Sequence, residues 1–328
     1  MTDWQRSDNE MIPTINLEEA ESPGSDLSGL DAACREHGFF LLSHHGLEAA
    51  IEAMWAESRA FFAEPNDVKR AVGRSEQIPL GYYDRELTKR RRDQKEVFDF
   101  MQPREDGSDL NQWPQGRPKF RSAMEGFFDA ASGIAARTLS LVLRALNASM
   151  SGASVSVAGD PRTSNVRLNY YPEQDPLSAD EGSQVTALGD MALHHHTDPG
   201  ILTLLLQDDS GGLQTHSVSK GWIDVSPVPG TIVVNLGDAM QVWSNDHYRA
   251  AVHRVLPMTA IGCSGRFSTP YFFNPAGNAK LESLIPAHLE SSKYRAFTWK
   301  EYIKGRVDDN FADLGEDDIQ IQRFRVLP

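Results

Sequence analysis

Cysteine is nearly absent from this chain, with Cys34 and Cys263 the only two in 328 residues. A disulfide-built scaffold is therefore excluded, and two free thiols suit a reducing compartment, with the cytoplasm as the expected location. Basic residues are also in short supply: 32 Lys and Arg stand against 46 Asp and Glu, a net charge of -14. Such a chain is poorly equipped to neutralise phosphates, so nucleic acid is not an expected partner and a small molecule is. No uninterrupted apolar run approaches the roughly 18 to 20 residues that cross a bilayer, so no membrane partner is expected. The start Met1-Thr2-Asp3-Trp4-Gln5-Arg6 lacks the basic and apolar segments of a secretion signal. No internal repeat is visible. Nothing in the chain specifies an oligomeric state.

What is present is enough apolar material, 40% of residues, for one sizeable core. Met1 to Met11 read as a polar tail. Ser22-Pro23-Gly24-Ser25 makes a turn before a helix from about Leu27 to His37, and Phe39 to Ser43 reads as a strand. A helix is expected from Glu48 to about Ala63. A longer one carries Phe120, Met124, Phe127, Phe128, Ala131, Ile134, Ala135, Leu139, Val142, Leu143 and Leu146 on one core-facing stripe. Ser149 to Thr163, rich in Ser, Gly and Ala, reads as a loop. The basic run Lys89 to Lys95 reads as a solvated surface. From Ile201 onward, short apolar strands alternate with Gly, Pro and Asn turns, which implies an antiparallel sandwich or barrel.

Within that β-rich region lies His196-Thr197-Asp198. In extended backbone, residues two apart share a side, so His196 and Asp198 can aim at one metal while Thr197 faces away. His253, in the apolar run Ala250 to Leu256, can supply a third ligand from a neighbouring strand. Two neutral imidazoles and one carboxylate can cover one face of a ferrous ion and leave the opposite face open. His194 and His195 have no carboxylate two residues on and read as loop or supporting groups. His216 and His247 read as surface or packing residues, and Trp243 and Asp238 as structural ones.

The sequence motifs extend well beyond these ligands. Asn169-Tyr170-Tyr171-Pro172, His196-Thr197-Asp198, Gly212-Leu213-Gln214, Gly237-Asp238, Ser244-Asn245, His253-Arg254 and Arg266-Phe267-Ser268 follow in order. With them, Asn165 to Pro275 resembles the catalytic core of the iron(II)/2-oxoglutarate-dependent dioxygenases. The branch is the one similar to isopenicillin N synthase and to plant flavonoid, gibberellin and ethylene-forming oxidases. Ile12 to Leu17 and His37 to Gly46 resemble the N-terminal region of the same family.

The resemblance implies a mainly β fold with flanking helices around a double-stranded β-helix, or jelly-roll, core. The division it implies is an N-terminal region at 1–160, the core at 161–275 and a C-terminal extension at 276–328. In that extension, Ser292 to Arg306, with Phe297, Trp299, Tyr302 and Ile303, would form a helix over the barrel mouth, a candidate lid. The cofactor implied is Fe(II), with 2-oxoglutarate and O2 as co-substrates and His196, Asp198 and His253 as ligands. Arg266 offers a planar fork for the far carboxylate of 2-oxoglutarate, with Ser268 beside it and Tyr171 and Asn169 as further donors. Tyr82, Phe98, Phe100 and Phe273 are candidates for the substrate pocket, with aromatic packing in the core as the competing reading. The basic run, near the pocket mouth in the family, leaves an anionic substrate open.

The implied reaction hydroxylates, desaturates or cyclises a small metabolite, of the kind found in secondary metabolism, with release of succinate and CO2. Three other readings share parts of this hardware. They are a 2-oxoglutarate-independent oxidase of the isopenicillin or ethylene-forming type, a non-oxidative metal-binding barrel, and a non-catalytic binding protein.

Overall fold

The computed structural model describes residues 12–75, 77–88, 91–104, 106–150, 156–263, 265–311 and 320–326. The expected tail Met1 to Met11, and Lys89 and Arg90 of the basic run, lie outside them.

Two sheets face each other. The larger has eight strands in the order Thr14–Asn16, Phe39–Ser43, Thr231–Leu236, Leu202–Gln207, Gly265–Phe273, Asn165–Pro172, Glu96–Met101 and Gly81–Tyr83. The smaller has four: Gly221–Asp224, Leu213–Ser217, His253–Val255 and Leu193–His196. Pairing is antiparallel throughout the two sheets except between Thr14–Asn16 and Phe39–Ser43. An apolar layer including Phe39, Leu41 and Val233 from the large sheet and Leu213, Ile223 and Val255 from the small one fills the space between them. This is the double-stranded β-helix arrangement implied by the sequence. Four strands of the large sheet come from residues before 102, so the N-terminal region completes the sheet as well as packing helices on it.

The outer face of the large sheet is covered by helices, chiefly Glu48–Phe62 and the long Pro118–Ser149. The stripe from Phe120 to Leu146 is buried there as its three- and four-residue spacing requires. By length and composition alone this helix is also long and apolar enough to cross a membrane. Its apolar face is instead in contact with the sheet and with Glu48–Phe62.

Strands covered on both faces explain the near-continuous apolar runs, and strand parity then decides which residues reach the interior cavity. In Gly265–Phe273, the even-numbered Arg266, Ser268, Pro270 and Phe272 line the cavity. Tyr271 points the other way, edge-on to Phe128 at 5.2 Å between ring centres. The expected pocket residue Phe273 shares that outward face, stacked near Tyr271, so Phe272 occupies the role expected of it. Phe98 and Phe100 stand opposite Leu168 and Val166, and Tyr82 opposite Phe98, all on the helix-facing side. The hydroxyl of Tyr82 donates to Glu96 at 2.7 Å. None of the four expected pocket aromatics is on the cavity wall: Tyr82, Phe98, Phe100 and Phe273 are core.

Phe98 meets Phe61 and Phe120 with ring centres 5.2 Å away in each case. Phe98→Ala should therefore destabilise the protein by about 3–5 kcal/mol, measured as a lower denaturant midpoint, with 2-oxoglutarate binding retained in the folded fraction. Full stability with weakened binding would place Phe98 at the cavity after all.

Candidate active site

His196 is the last residue of its strand and His253 the first of the neighbouring one, and the two are direct partners in the antiparallel ladder. Their rings lie 4.3 Å apart between centres. Each Nδ1–H donates to the carbonyl two residues back: His196 to His194 at 2.8 Å and His253 to Ala251 at 2.9 Å. A carbonyl can only accept, so the ring proton sits on Nδ1 and each Nε2 keeps its lone pair for a metal.

Asp198 lies just beyond the strand end. Its carbonyl accepts from the Asp238 N–H at 2.8 Å, and the turn packs so closely on Gly237 that a Cβ there would meet Gly200 O at 2.3 Å. Only glycine fits at that approach. Oδ1 of Asp198 stands 3.8 Å from Nε2 of both histidines. Oδ2 accepts from Thr203 Oγ1 at 2.5 Å and from Asn235 Nδ2 at 2.8 Å, which fixes the carboxylate orientation. The three ligand atoms all lie within 4.8 Å of one another. Two imidazole nitrogens and one oxygen, each oriented by its other atom, fit an iron(II) ion.

Burial, reinforced by His253, pushes the His196 imidazole down to about 3, so it is neutral and competent to ligate. Burial works the other way on Asp198, but the two imidazoles and the donors Thr203 and Asn235 hold it below its usual range as a carboxylate.

Arg266, Ser268, Asn169 and Tyr171 line the same cavity, of about 270 Å3. Arg266 pairs across the ladder with Tyr171 and Ser268 with Asn169. The Asn169 amide donates to Ser268 Oγ at 3.4 Å, and the Arg266 guanidinium lies 5.1 Å from the centre of the Tyr171 ring. Arg266 is 1% exposed. Its Nε donates to Gly211 O at 2.7 Å, while both terminal nitrogens are buried without a hydrogen-bond partner among the described residues. A charged fork left unpaired inside a protein is costly unless a ligand completes it.

Several residues here escaped the sequence reading. Thr203 sits in an apolar run and carries no signal, whereas Asn235, polar within Ile232-Val233-Val234-Asn235-Leu236, could have been singled out. The basic run is not a solvated surface throughout: Arg92 and Lys95 are 2% and 3% exposed. Arg92 pairs with Asp175, and Lys95 Nζ with Glu86 at 3.0 Å and Asp93 at 3.1 Å. Asp238, assigned no catalytic role, is a buried acceptor for Tyr302 at 2.6 Å and Thr197 at 3.2 Å.

Tyr302 belongs to the C-terminal helix Trp299–Phe311, whose Ile303 and Arg306 line the cavity. Arg306 also donates to the Thr197 carbonyl at 2.8 Å. Phe297, Trp299 and Tyr302 are buried in the main core instead of at the mouth, so the segment that carries them is part of the fold's packing. His194 stands between Asp190 and Asp93, His195 and His216 flank Trp222, and His247 accepts from Arg35 through Nδ1 and donates to Glu290 through Nε2. These four are separate from the ligand cluster.

Two sequence families match this chain. The 2OG-Fe(II) oxygenase superfamily matches residues 162–275, and the N-terminal region described for a non-haem dioxygenase in morphine synthesis matches residues 12–116. Gibberellin 2-beta-dioxygenase 4 of Arabidopsis thaliana is 31% identical over 313 residues, covering 92% of this chain and 94% of that protein. Homoarginine-6-hydroxylase 2-ODD-C23 of Glycine max is 31% identical over 316 residues, covering 90% and 92%. Among solved structures, a full-length Neurospora crassa protein in complex with alpha-KG and thymine has a TM-score of 0.71 and 26% identity, covering 90% of this chain and 96% of that one. With fold, ligand geometry and relatives in agreement over most of its length, the chain belongs to the 2OG-Fe(II) oxygenase superfamily and is an Fe(II)- and 2-oxoglutarate-dependent dioxygenase.

Proposed function

We propose that His196, Asp198 and His253 hold the iron, that Arg266 and Ser268 take the far carboxylate of 2-oxoglutarate with Asn169 and Tyr171 as supporting donors, and that a small metabolite is oxidised beside them. The observation that carries this reading is the buried, unpartnered fork of Arg266. Its two terminal N–H groups match a carboxylate bidentately, and nothing in a hydrolytic or purely structural barrel calls for it. Iron bound at this site supplies oxygen activation coupled to oxidative decarboxylation of the co-substrate, which leaves as succinate and CO2.

The protein's own contribution is placement. Thr203 and Asn235 aim Asp198, the carbonyls of His194 and Ala251 set the imidazole tautomers, and the C-terminal helix closes part of the cavity wall through Ile303 and Arg306. A cytoplasmic setting and a partner that is neither nucleic acid nor membrane belong to the same proposal. They are supported by the free Cys34 and Cys263 and by the acidic net charge. The two relatives are named for action on a gibberellin and on homoarginine, so the cavity wall rather than the family selects the substrate.

Three measurements test these roles. Alanine at His196, Asp198 or His253 should abolish turnover and iron retention, whereas Asn235→Ala should weaken iron binding by roughly ten- to a hundredfold because it only orients the carboxylate. Metal titration followed by iron analysis reads both. Arg266→Lys keeps the charge and loses the fork, so the 2-oxoglutarate requirement should rise roughly ten- to a hundredfold while that for the main substrate changes little. An unchanged 2-oxoglutarate requirement would assign the carboxylate to another residue. Ile303→Ala opens the wall formed by the C-terminal helix, so the ratio of succinate to oxidised product should increase through water entry. A constant ratio would reduce the helix to a packing element.

A further inference from the structure

The cavity has a second charged wall, which co-substrate binding by Arg266 does not use. Lys95, Arg167 and Arg306 all face the cavity. The acids that balance them, Asp93, Asp99 and Asp238, are buried and do not line it. Asp99 accepts from Arg167 Nε at 2.7 Å and Nη2 at 2.9 Å, and Asp93 lies 3.1 Å from Lys95 Nζ.

Apart from the ligand Asp198, Glu86 is the one carboxylate among the described lining residues. Both its oxygens are already engaged: one by Arg74 Nη1 at 2.9 Å, the other by Arg167 Nη1 at 2.7 Å and Lys95 Nζ at 3.0 Å. The wall therefore presents N–H donors and no unengaged carboxylate. Lys95 has three N–H donors, of which Glu86 and Asp93 take two. Burial opposes its charge, but Asp93 and Glu86 outweigh that effect and hold it as an ammonium. The cations face the cavity while all of their balancing acids but Glu86 stand behind them, so this wall favours an anion over a cation. The cavity, about 270 Å3 with the co-substrate's share included, admits only a small partner.

We propose that the main substrate is a small carboxylic acid and that Lys95 receives its carboxylate, with Arg167 and Arg306 supplying the surrounding positive field. The proposal rests on reading the site as an Fe(II)/2-oxoglutarate pocket. The two anions are then divided by geometry: the open fork of Arg266 suits bidentate capture of the co-substrate, and the compact ammonium of Lys95 acts as a point charge for the substrate. A cationic substrate group would find no unengaged carboxylate to receive it.

The test is anaerobic calorimetric titration of the Fe(II) protein, first with 2-oxoglutarate and then with matched acids and primary amides, from pentanoic acid and pentanamide to 4-phenylbutanoic acid and 4-phenylbutanamide. Acids should bind roughly ten- to a hundredfold more tightly than their amides, the range for a charge-assisted hydrogen bond. Lys95→Gln should erase that preference and leave 2-oxoglutarate affinity unchanged. Should that variant fail to fold, Lys95→Arg, which keeps Glu86 and Asp93 paired, carries the test: acid affinity falls while amide affinity holds.

Parity of acid and amide in the unaltered protein, binding by no acid in the series, or equal loss of both ligands in either variant would overturn the proposal. Loss of 2-oxoglutarate binding in place of acid binding would give Lys95 to the co-substrate and overturn it too. Absence of any 2-oxoglutarate binding to the Fe(II) protein would sink the underlying oxygenase reading, and it shows before an acid is added.

Discussion

The cross-strand pair His196 and His253 is the constraint on which the site depends. Direct opposition in an antiparallel ladder brings two imidazoles to one spot, and each ring is set by the same local device, a hydrogen bond from Nδ1 to the carbonyl two residues earlier. A slip of one residue in the register would send one of the two side chains to the opposite face. His195, one residue away, does lie on that opposite face, beside Trp222. The third ligand, Asp198, lies just past the end of that strand, two residues after His196, with Gly237 allowing the close backbone approach.

Charge is distributed with equal economy. An acidic chain keeps several of its cations inside, where desolvation is costly unless partners are supplied. Lys95, Arg92 and Arg167 have theirs within the protein. Arg266 does not, and the contrast separates cations that the fold supplies with carboxylates from one whose terminal nitrogens have no partner among the described residues. The C-terminal helix is tied to the metal-bearing turn through Tyr302 to Asp238 and Arg306 to Thr197, so the cavity wall and the ligand loop are mechanically one unit.

Much of this was legible in the residues. The His-x-Asp spacing, the strand around His253, the helix stripe from Phe120 to Leu146 and the Arg-x-Ser pair depend on local periodicity, which a sequence displays directly. Pocket composition depends on parity relative to a particular sheet face, and there an aromatic residue is ambiguous: Phe98, Phe100 and Phe273 face the helices, while Phe272 faces the cavity. Burial of Lys95 and Arg92 was not legible because it relies on counter-charges contributed by separate segments, Glu86 and Asp175 among them. Thr203 was hidden for a related reason, since a hydroxyl in an apolar strand gains meaning only once Asp198 is placed against it.

The central claim is that this triad and Arg266 together bind iron and 2-oxoglutarate as one chelate. Its most direct measurement is anaerobic addition of 2-oxoglutarate to the Fe(II) protein, followed by visible absorption, with succinate, which lacks the keto oxygen, as the control. A weak charge-transfer band that forms with 2-oxoglutarate, fails to form with succinate and needs more 2-oxoglutarate in Arg266→Lys is the expected result. No band with 2-oxoglutarate, in a protein shown to retain its iron, would contradict it.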